Sequence, residues 1–411
     1  MTAKLKRISL KNFLSFLMVV SIVLAPLTLG GSANLRIGVL VLLPALVLIL
    51  WIEIEKVLVI LSGWFGFAIA GFSILLISGY MLENDVLPGL HDYRVLTAGN
   101  LVVIPLVIVV SVLVGAGRRY EKGVVAGLGI GLLIQLVQVF LIPPSDFFRE
   151  FTRSSGLMGD PNILLLHLIP VFCFWASLIR RTSLNSTYII GIFIVLCLAT
   201  LRTLSRAGLV TIIVVIILVM SYLVVSLLRF RTRKVIGLAG LIIGFLAFIL
   251  IAGQFSKDEI GQGVVGFQSR ISERVIESGY LGDRFELYRT LFDAPPSAIF
   301  DPLGAGYFSL LGPIRTLPHN TFIDIYAICG LFGIGIVMWL YLRPVLASGA
   351  RIWIDTRKPH LLLSGILLFS SLVTQFLLLG TLSVLTFKVH WMILGLAWGK
   401  LIFSKNAKLH V

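Results

Sequence analysis

Residues 207–228 read AGLVTIIVVIILVMSYLVVSLL, and their reading decides the fold. The stretch carries no charge. As a helix rising 1.5 Å per residue it would span about 33 Å, slightly more than the roughly 30 Å hydrocarbon core of a bilayer. In lipid a backbone must satisfy its own hydrogen bonds, so such a block is expected as a helix. Blocks of this kind recur along the chain. Of its 411 residues 58% are hydrophobic and 13% charged, whereas a soluble domain is about half apolar and about a quarter charged. The alternating pattern of a membrane barrel is absent. The expected fold class is therefore all-α, a polytopic membrane protein.

Twelve spans are expected, at about 13–29, 37–52, 57–81, 95–116, 123–143, 161–179, 187–201, 207–228, 235–254, 320–342, 360–380 and 389–404. The first lacks a small-residue cleavage site and reads as a retained helix. An even number puts both termini on one side. Residues 1–254 then hold nine helices, 255–319 one long outer loop, and 320–411 three more helices. On the terminal side lie 21 of the 34 basic residues. Thirteen lie on the other, six of them in the long loop, which the positive-inside rule discounts. The termini are therefore expected in the cytoplasm. The net charge of +15 reads as a topology signal and contact with anionic membrane lipids, not a nucleic-acid footprint. Cys173, Cys197 and Cys329 all fall inside apolar blocks. No disulfide framework and no metal-binding spacing is expected.

The loop 255–319 carries apolar residues at helical spacing over 264–292, which suggests short amphipathic helices near the membrane surface. Turn chemistry follows at Ala294-Pro295-Pro296 and at Pro302-Leu303-Gly304-Ala305-Gly306. Loops of this length are usually functional.

Polar residues gather on that outer side. His319 stands at the edge of the tenth span, in PHNTFIDIYAICGLFG (318–333). It could be an interfacial residue beside a helix capped by Asn320 or Thr321, or a general base. Asp324, just inside the span, is a functional candidate because burying a charge is costly. It could also pair with an arginine for structure alone. Arg202 and Arg206 flank the turn between the seventh and eighth spans. They are snorkelling residues or an anion site, since a guanidinium offers forked donors that match phosphate oxygens. Arg284 and Arg289 lie in GDRFELYR (282–289), where pairing along an amphipathic helix is the plain alternative. Arg153 precedes Asp160-Pro161-Asn162. Several cations and one base without a metal suit an anionic substrate whose leaving group needs stabilising, such as a diphosphate.

In HNTFIDIYAICGLFG, His319-Asn320 is followed by nine residues and then Gly330-x-x-Gly333. This resembles a signature of the bacterial O-antigen ligase and polymerase superfamily. LSRAG (204–208) resembles that family's serine-arginine-glycine motif, with Ala207 placed before Gly208. DRFELYRTLFDAPPSAIFDPLGAGYF (283–308) and GLMGDPN (156–162) resemble two further elements, so the resemblance covers about 150–340. It implies a metal-independent glycosyltransferase without a cofactor, in the bacterial inner membrane with its active site facing the periplasm. The donor would be a glycan on undecaprenyl diphosphate. The acceptor would be a hydroxyl of lipid A-core in a ligase, or another lipid-linked glycan in a polymerase of O-antigen or exopolysaccharide repeat units. By motif position, Arg206 and Arg284 would hold the diphosphate and His319 would act on the acceptor hydroxyl, with inversion at the anomeric carbon. Arg153 would be a further phosphate or sugar contact. Arg202, Asn320, Asp324 and Arg289 complete the substrate-binding candidates. A flippase or transporter of lipid-linked oligosaccharides is the alternative from another class. It would need charge along a central pathway, where the span centres offer mainly Gln135, Gln138, His167 and Gln375.

Overall fold

The computed structural model describes residues 9–24, 37–81, 91–141, 161–179, 186–203, 206–230, 320–354, 359–380 and 388–403. Among these residues every regular element is a helix. In order they are α1 (Leu10–Leu24), α2 (Ile37–Ile52), α3 (Ile54–Leu61), α4 (Trp64–Met81), α5 (His91–Ala116), α6 (Glu121–Leu141), α7 (Pro161–Ile179), α8 (Ser186–Thr203), α9 (Arg206–Phe230), α10 (Thr321–Ile354), α11 (Pro359–Leu379) and α12 (Lys388–Trp398). A single 3₁₀ turn, Arg118–Tyr120, joins α5 to α6, and a π turn, Gly399–Phe403, extends α12. The expected ninth span (235–254) and the loop 255–319 lie outside the described residues.

Three helical stretches among the described residues are long and apolar enough to cross a membrane: Arg118–Leu141, Cys329–Ile352 and Leu361–Leu379. The bent pair α3–α4 makes a fourth if it is one span. Six further apolar helices have described lengths of 10–17 residues.

The helices cluster around a core of buried aliphatic and aromatic side chains, among them Phe72, Phe172, Tyr341, Trp391 and Trp398. Apolar helices in lipid gain no net hydrophobic advantage by meeting one another, so close backbone approach at small residues has to hold them. Two glycine stripes do this. Gly123, Gly127 and Gly131 repeat every four residues on α6 and face α1; a Cβ on Gly131 would stand 2.6 Å from Val23 Cγ1. Gly395 and Gly399 on α12 face α5 in the same way, with Ile108 O 2.6 Å from the Cβ position of Gly395. Side-chain hydrogen bonds to backbone carbonyls add to this contact. Ser364 and Ser371 of α11 donate to the carbonyls of Ser177 (2.6 Å) and Pro170 (2.8 Å) on α7. Trp398 Nε1 donates to Leu340 O at 2.8 Å.

Charge gathers at one end of the bundle. Glu53, between α2 and α3, pairs with Lys11 and with Lys56 (2.6 Å), and accepts from Tyr120 Oη at 3.0 Å. Glu121 pairs with Lys400 at 3.1 Å, and Arg351 Nη2 donates to the Lys400 carbonyl at 3.1 Å. Lys11, Lys56, Arg351 and Lys400 are among the 21 basic residues expected on the side of the termini. Burial alone would raise the Glu53 pKa. Hydrogen bonds from Lys11, Lys56 and Tyr120, with the Lys56 charge, outweigh it and hold the carboxyl below its ordinary value.

Two of the expected spans are broken by bends. The stretch read as one span over 57–81 is two helices bent by 85° at Ser62-Gly63. The last helical bond of α3 is donated by the Ser62 amide to Leu58 O at 2.9 Å. Gly66 then lies against the Leu61 carbonyl, where no side chain would fit. The tenth span runs to Ile354, beyond the expected 342, and is broken at Gly330, whose φ of 63° and ψ of −163° are not helical. The ring of Phe376 on α11 lies 5.1 Å from that of Phe322 and 6.3 Å from that of Tyr341. In an unbroken helix residues 322 and 341 would stand about 28 Å apart, so the two arms of α10 are folded about the break. Continuous hydrophobicity hid both bends, because a hydropathy reading registers apolar length and not backbone direction.

Candidate functional site

The site is built around the short first arm of α10, Thr321 to Cys329. Asn320 starts it. Its Oδ1 accepts from the backbone N–H of Phe322 (3.0 Å) and Ile323 (3.2 Å), an N-cap that satisfies two otherwise orphaned amides. Its Nδ2 donates 3.0 Å to the carbonyl of Gly380 at the end of α11. The amide expected to touch substrate is thus largely committed to fixing where this arm begins. Asp324 lies in the first turn, 4% exposed, where the positive end of the helix dipole favours a carboxylate.

Gly330 and Gly333 acquire separate physical reasons. Gly330 ends the arm in a left-handed conformation that a Cβ opposes. A Cβ on Gly333 would overlap Cys329 Cβ and stand 3.4 Å from Ile325 Cγ2, so the second arm leaves the break pressed against the first. A glycine pair with this spacing is what a sharply broken helix requires.

Arg206 is the first residue of α9, and Arg202 is the last but one of α8. Their positions are tied to the α10 arm through four contacts. Gly208 lies against Leu165 Cδ1 of α7. The Ser364 and Ser371 bonds lock α7 to α11 in antiparallel register, and α11 ends at Gly380, which Asn320 holds. The helix ends bearing Arg202, Arg206, Asn320 and Asp324 therefore share the end of the bundle remote from the Glu53 cluster. His319, Arg153, Arg284 and Arg289, with the 156–162 and 283–308 elements, lie outside the described residues.

No protein-family model matches the chain, and no curated protein matches it.

Beneath that end lies a polar centre that the sequence reading registered only in part. His167 on α7, Gln375 on α11 and His390 on α12 are each 0% exposed. One turn beyond the Ser371–Pro170 bond, the antiparallel register brings Gln375 level with His167. Helix α12, which carries His390, packs against α7, which carries His167. Pro170 has no N–H, so the Leu166 carbonyl beside His167 loses its helical donor. Both ring nitrogens of His390 and both amide atoms of Gln375 are buried without a hydrogen-bond partner among the described residues. Buried polar atoms left dry are costly, and a site lined this way suits bound water. His390 was missed because it falls inside a hydrophobic run and belongs to no motif. Among the described residues no three His, Cys, Asp or Glu side chains gather as a metal site.

Proposed function

We propose that the protein is a membrane glycosyltransferase of the O-antigen ligase type. It transfers a glycan from an undecaprenyl-diphosphate donor to a hydroxyl of lipid A-core at the periplasmic face of the bacterial inner membrane, with both termini cytoplasmic. The observation that carries this reading is the capped, broken arm of α10. Asn320 fixes the start of the helix one residue after His319, and the arm shares its end of the bundle with the start of α9 at Arg206. What supports the reading is that Asn320, the residue after His319 in the sequence, and Arg206 both stand at the start of packed helices, since catalysis by positioning needs its groups held in place.

In the proposed chemistry Arg206 and Arg284 bind the diphosphate. His319 accepts the proton of the acceptor hydroxyl as its oxygen attacks the anomeric carbon from the face opposite the leaving group. The bond from that carbon to the diphosphate oxygen breaks, its electron pair leaves with the diphosphate, and the configuration inverts. The guanidinium groups supply the positive charge, so neither a metal nor a nucleotide cofactor is needed. Arg153, Arg202, Asn320, Asp324 and Arg289 would line the substrate path.

A repeat-unit polymerase uses the same chemistry with a second lipid-linked glycan as acceptor. Incubation of the purified protein with a defined diphosphate-linked glycan, with and without lipid A-core, followed by mass analysis, separates the two. A ligase glycosylates only the core, whereas a polymerase builds a ladder without it. A lipid-linked oligosaccharide flippase is the third reading, and the buried His167–Gln375–His390 centre is the observation in its favour. Product formed in detergent, where there is no second compartment, rules out transport as the sole activity. Absence of any glycosylated product with either acceptor overturns the enzyme reading.

A further inference from the structure

The charged end of the bundle carries a feature unrelated to transfer. Helix α3 turns 85° away from α4, so the two cannot both lie along a membrane normal. It is amphipathic. Val57 and Ile60 are buried against the bundle, while Leu58 and Val59 are 64% and 71% exposed. Trp51 and Trp64 flank it with exposures of 80% and 81%. Tryptophans at both ends of a short apolar helix are the arrangement expected at the boundary between headgroups and acyl chains.

Basic groups meet this helix. Tyr120, which donates to Glu53 at the start of α3, sits directly between Arg119 and Glu121. Arg118, Arg119 and Lys122 are all exposed there, as is Lys56. The nearby acids offset them only in part: Glu53 is taken by Lys11 and Lys56, and Glu121 by Lys400. Glu55 alone among the neighbouring acids has no ion pair within the described residues, and none of the described ion pairs uses Arg118, Arg119 or Lys122. An apolar ledge beside a net-positive rim is complementary to acyl chains below anionic headgroups.

We propose that the α3 elbow and the Arg118–Lys122 turn form a binding site for anionic phospholipid, with α3 lying in the plane of the membrane surface. Headgroup phosphates sit against Arg118, Arg119 and Lys122, and the acyl chains lie along Leu58 and Val59. The site is independent of the glycosyltransferase reading. It makes the 57–81 segment one crossing helix with an in-plane foot.

The test is lipid retention. The full-length protein is reconstituted in bilayers of equal phosphatidylglycerol and phosphatidylcholine, extracted, and its co-purifying lipid counted by native mass spectrometry. The wild type should hold phosphatidylglycerol over phosphatidylcholine by about fivefold or more. R118Q/R119Q/K122Q, which leaves the Glu53 cluster intact, should bring the ratio close to one. Equal retention in the wild type, or an unchanged ratio in the variant, overturns the proposal. A second readout needs no substitution in the rim: Trp51 and Trp64, identified by W51F and W64F, should be quenched by shallow headgroup-side quenchers. Quenching only by deep-chain quenchers, or a Trp51→Cys crosslink between two copies in place of lipid, overturns it equally. Should the triple variant misfold, high salt must strip phosphatidylglycerol from the wild type, and retention unaffected by salt counts against the site.

Discussion

Asn320 donates from Nδ2 to the carbonyl of Gly380 at 3.0 Å, joining residues 60 positions apart while its Oδ1 caps the helix it begins. One side chain thus sets both the start of the α10 arm and its distance from α11. Asn320→Ala removes the cap and the interhelical bond together and is expected to cost about 1–2 kcal/mol from the cap alone. Asn320→Asp keeps an acceptor for the Phe322 and Ile323 amides but cannot donate to Gly380. It should therefore fall between wild type and alanine in thermal unfolding of the detergent-solubilised protein. Equal midpoints for Asp and Ala would mean that the cap contributes nothing.

Gly330→Ala puts a Cβ on a backbone with φ of 63° and ψ of −163°, a conformation that costs a non-glycine residue of order 1–3 kcal/mol. Gly333→Ala has a different defect, overlap with Cys329 Cβ. The smaller side chain left by Cys329→Gly should relieve the second and not the first. Melting of G333A, C329G/G333A, G330A and C329G/G330A checks this: rescue of G330A by C329G would show that its defect is steric and not conformational.

The helical class and most helix positions were legible because an apolar run has to satisfy its backbone internally. The 161–179 span and α7 coincide to the residue. What the sequence concealed is direction. Ser62-Gly63 and Gly330 bend the chain inside runs whose hydropathy never falters. Buried polarity was half legible: His167 and Gln375 stood out as lone polar residues, but that they and His390 face one interior depends on the register of α7 and α11. The helix ends at Arg206 and Asn320 could be assigned to one side by counting spans; the contacts through Leu165, Ser371 and Gly380 had to be seen.

Glu53 gives a pH dependence with a definite sign. Its folded pKa lies below the ordinary 4.5 because Lys11, Lys56 and Tyr120 hold the charged form against the cost of burial. The unfolded chain therefore takes up a proton at higher pH than the folded one. The stabilisation is fully present above the unfolded value and is lost as pH falls through the folded value. Glu53→Gln should lower the melting temperature at neutral pH, and the gap from wild type should close as pH drops below about 4.5. A gap that keeps its full size as the pH falls well below that value would show that the ionisation of Glu53 contributes nothing to stability.

Arg206→Ala and Arg284→Ala should each lower glycan transfer by about 10²–10³ while the protein still inserts and purifies, since one charge-stabilising donor is typically worth that much. Arg206→Lys should also be poor, because an ammonium cannot make the two-pronged contact of a guanidinium with a phosphate. His319→Ala should abolish transfer but leave donor binding intact, as expected of a base that acts on the acceptor. The two functions separate in one pair of assays on each variant, donor binding by co-purified or titrated lipid-linked glycan and transfer by mass analysis. Loss of donor binding in His319→Ala would make His319 a binding residue, and normal transfer by a well-folded Arg284→Ala would remove Arg284 from the site.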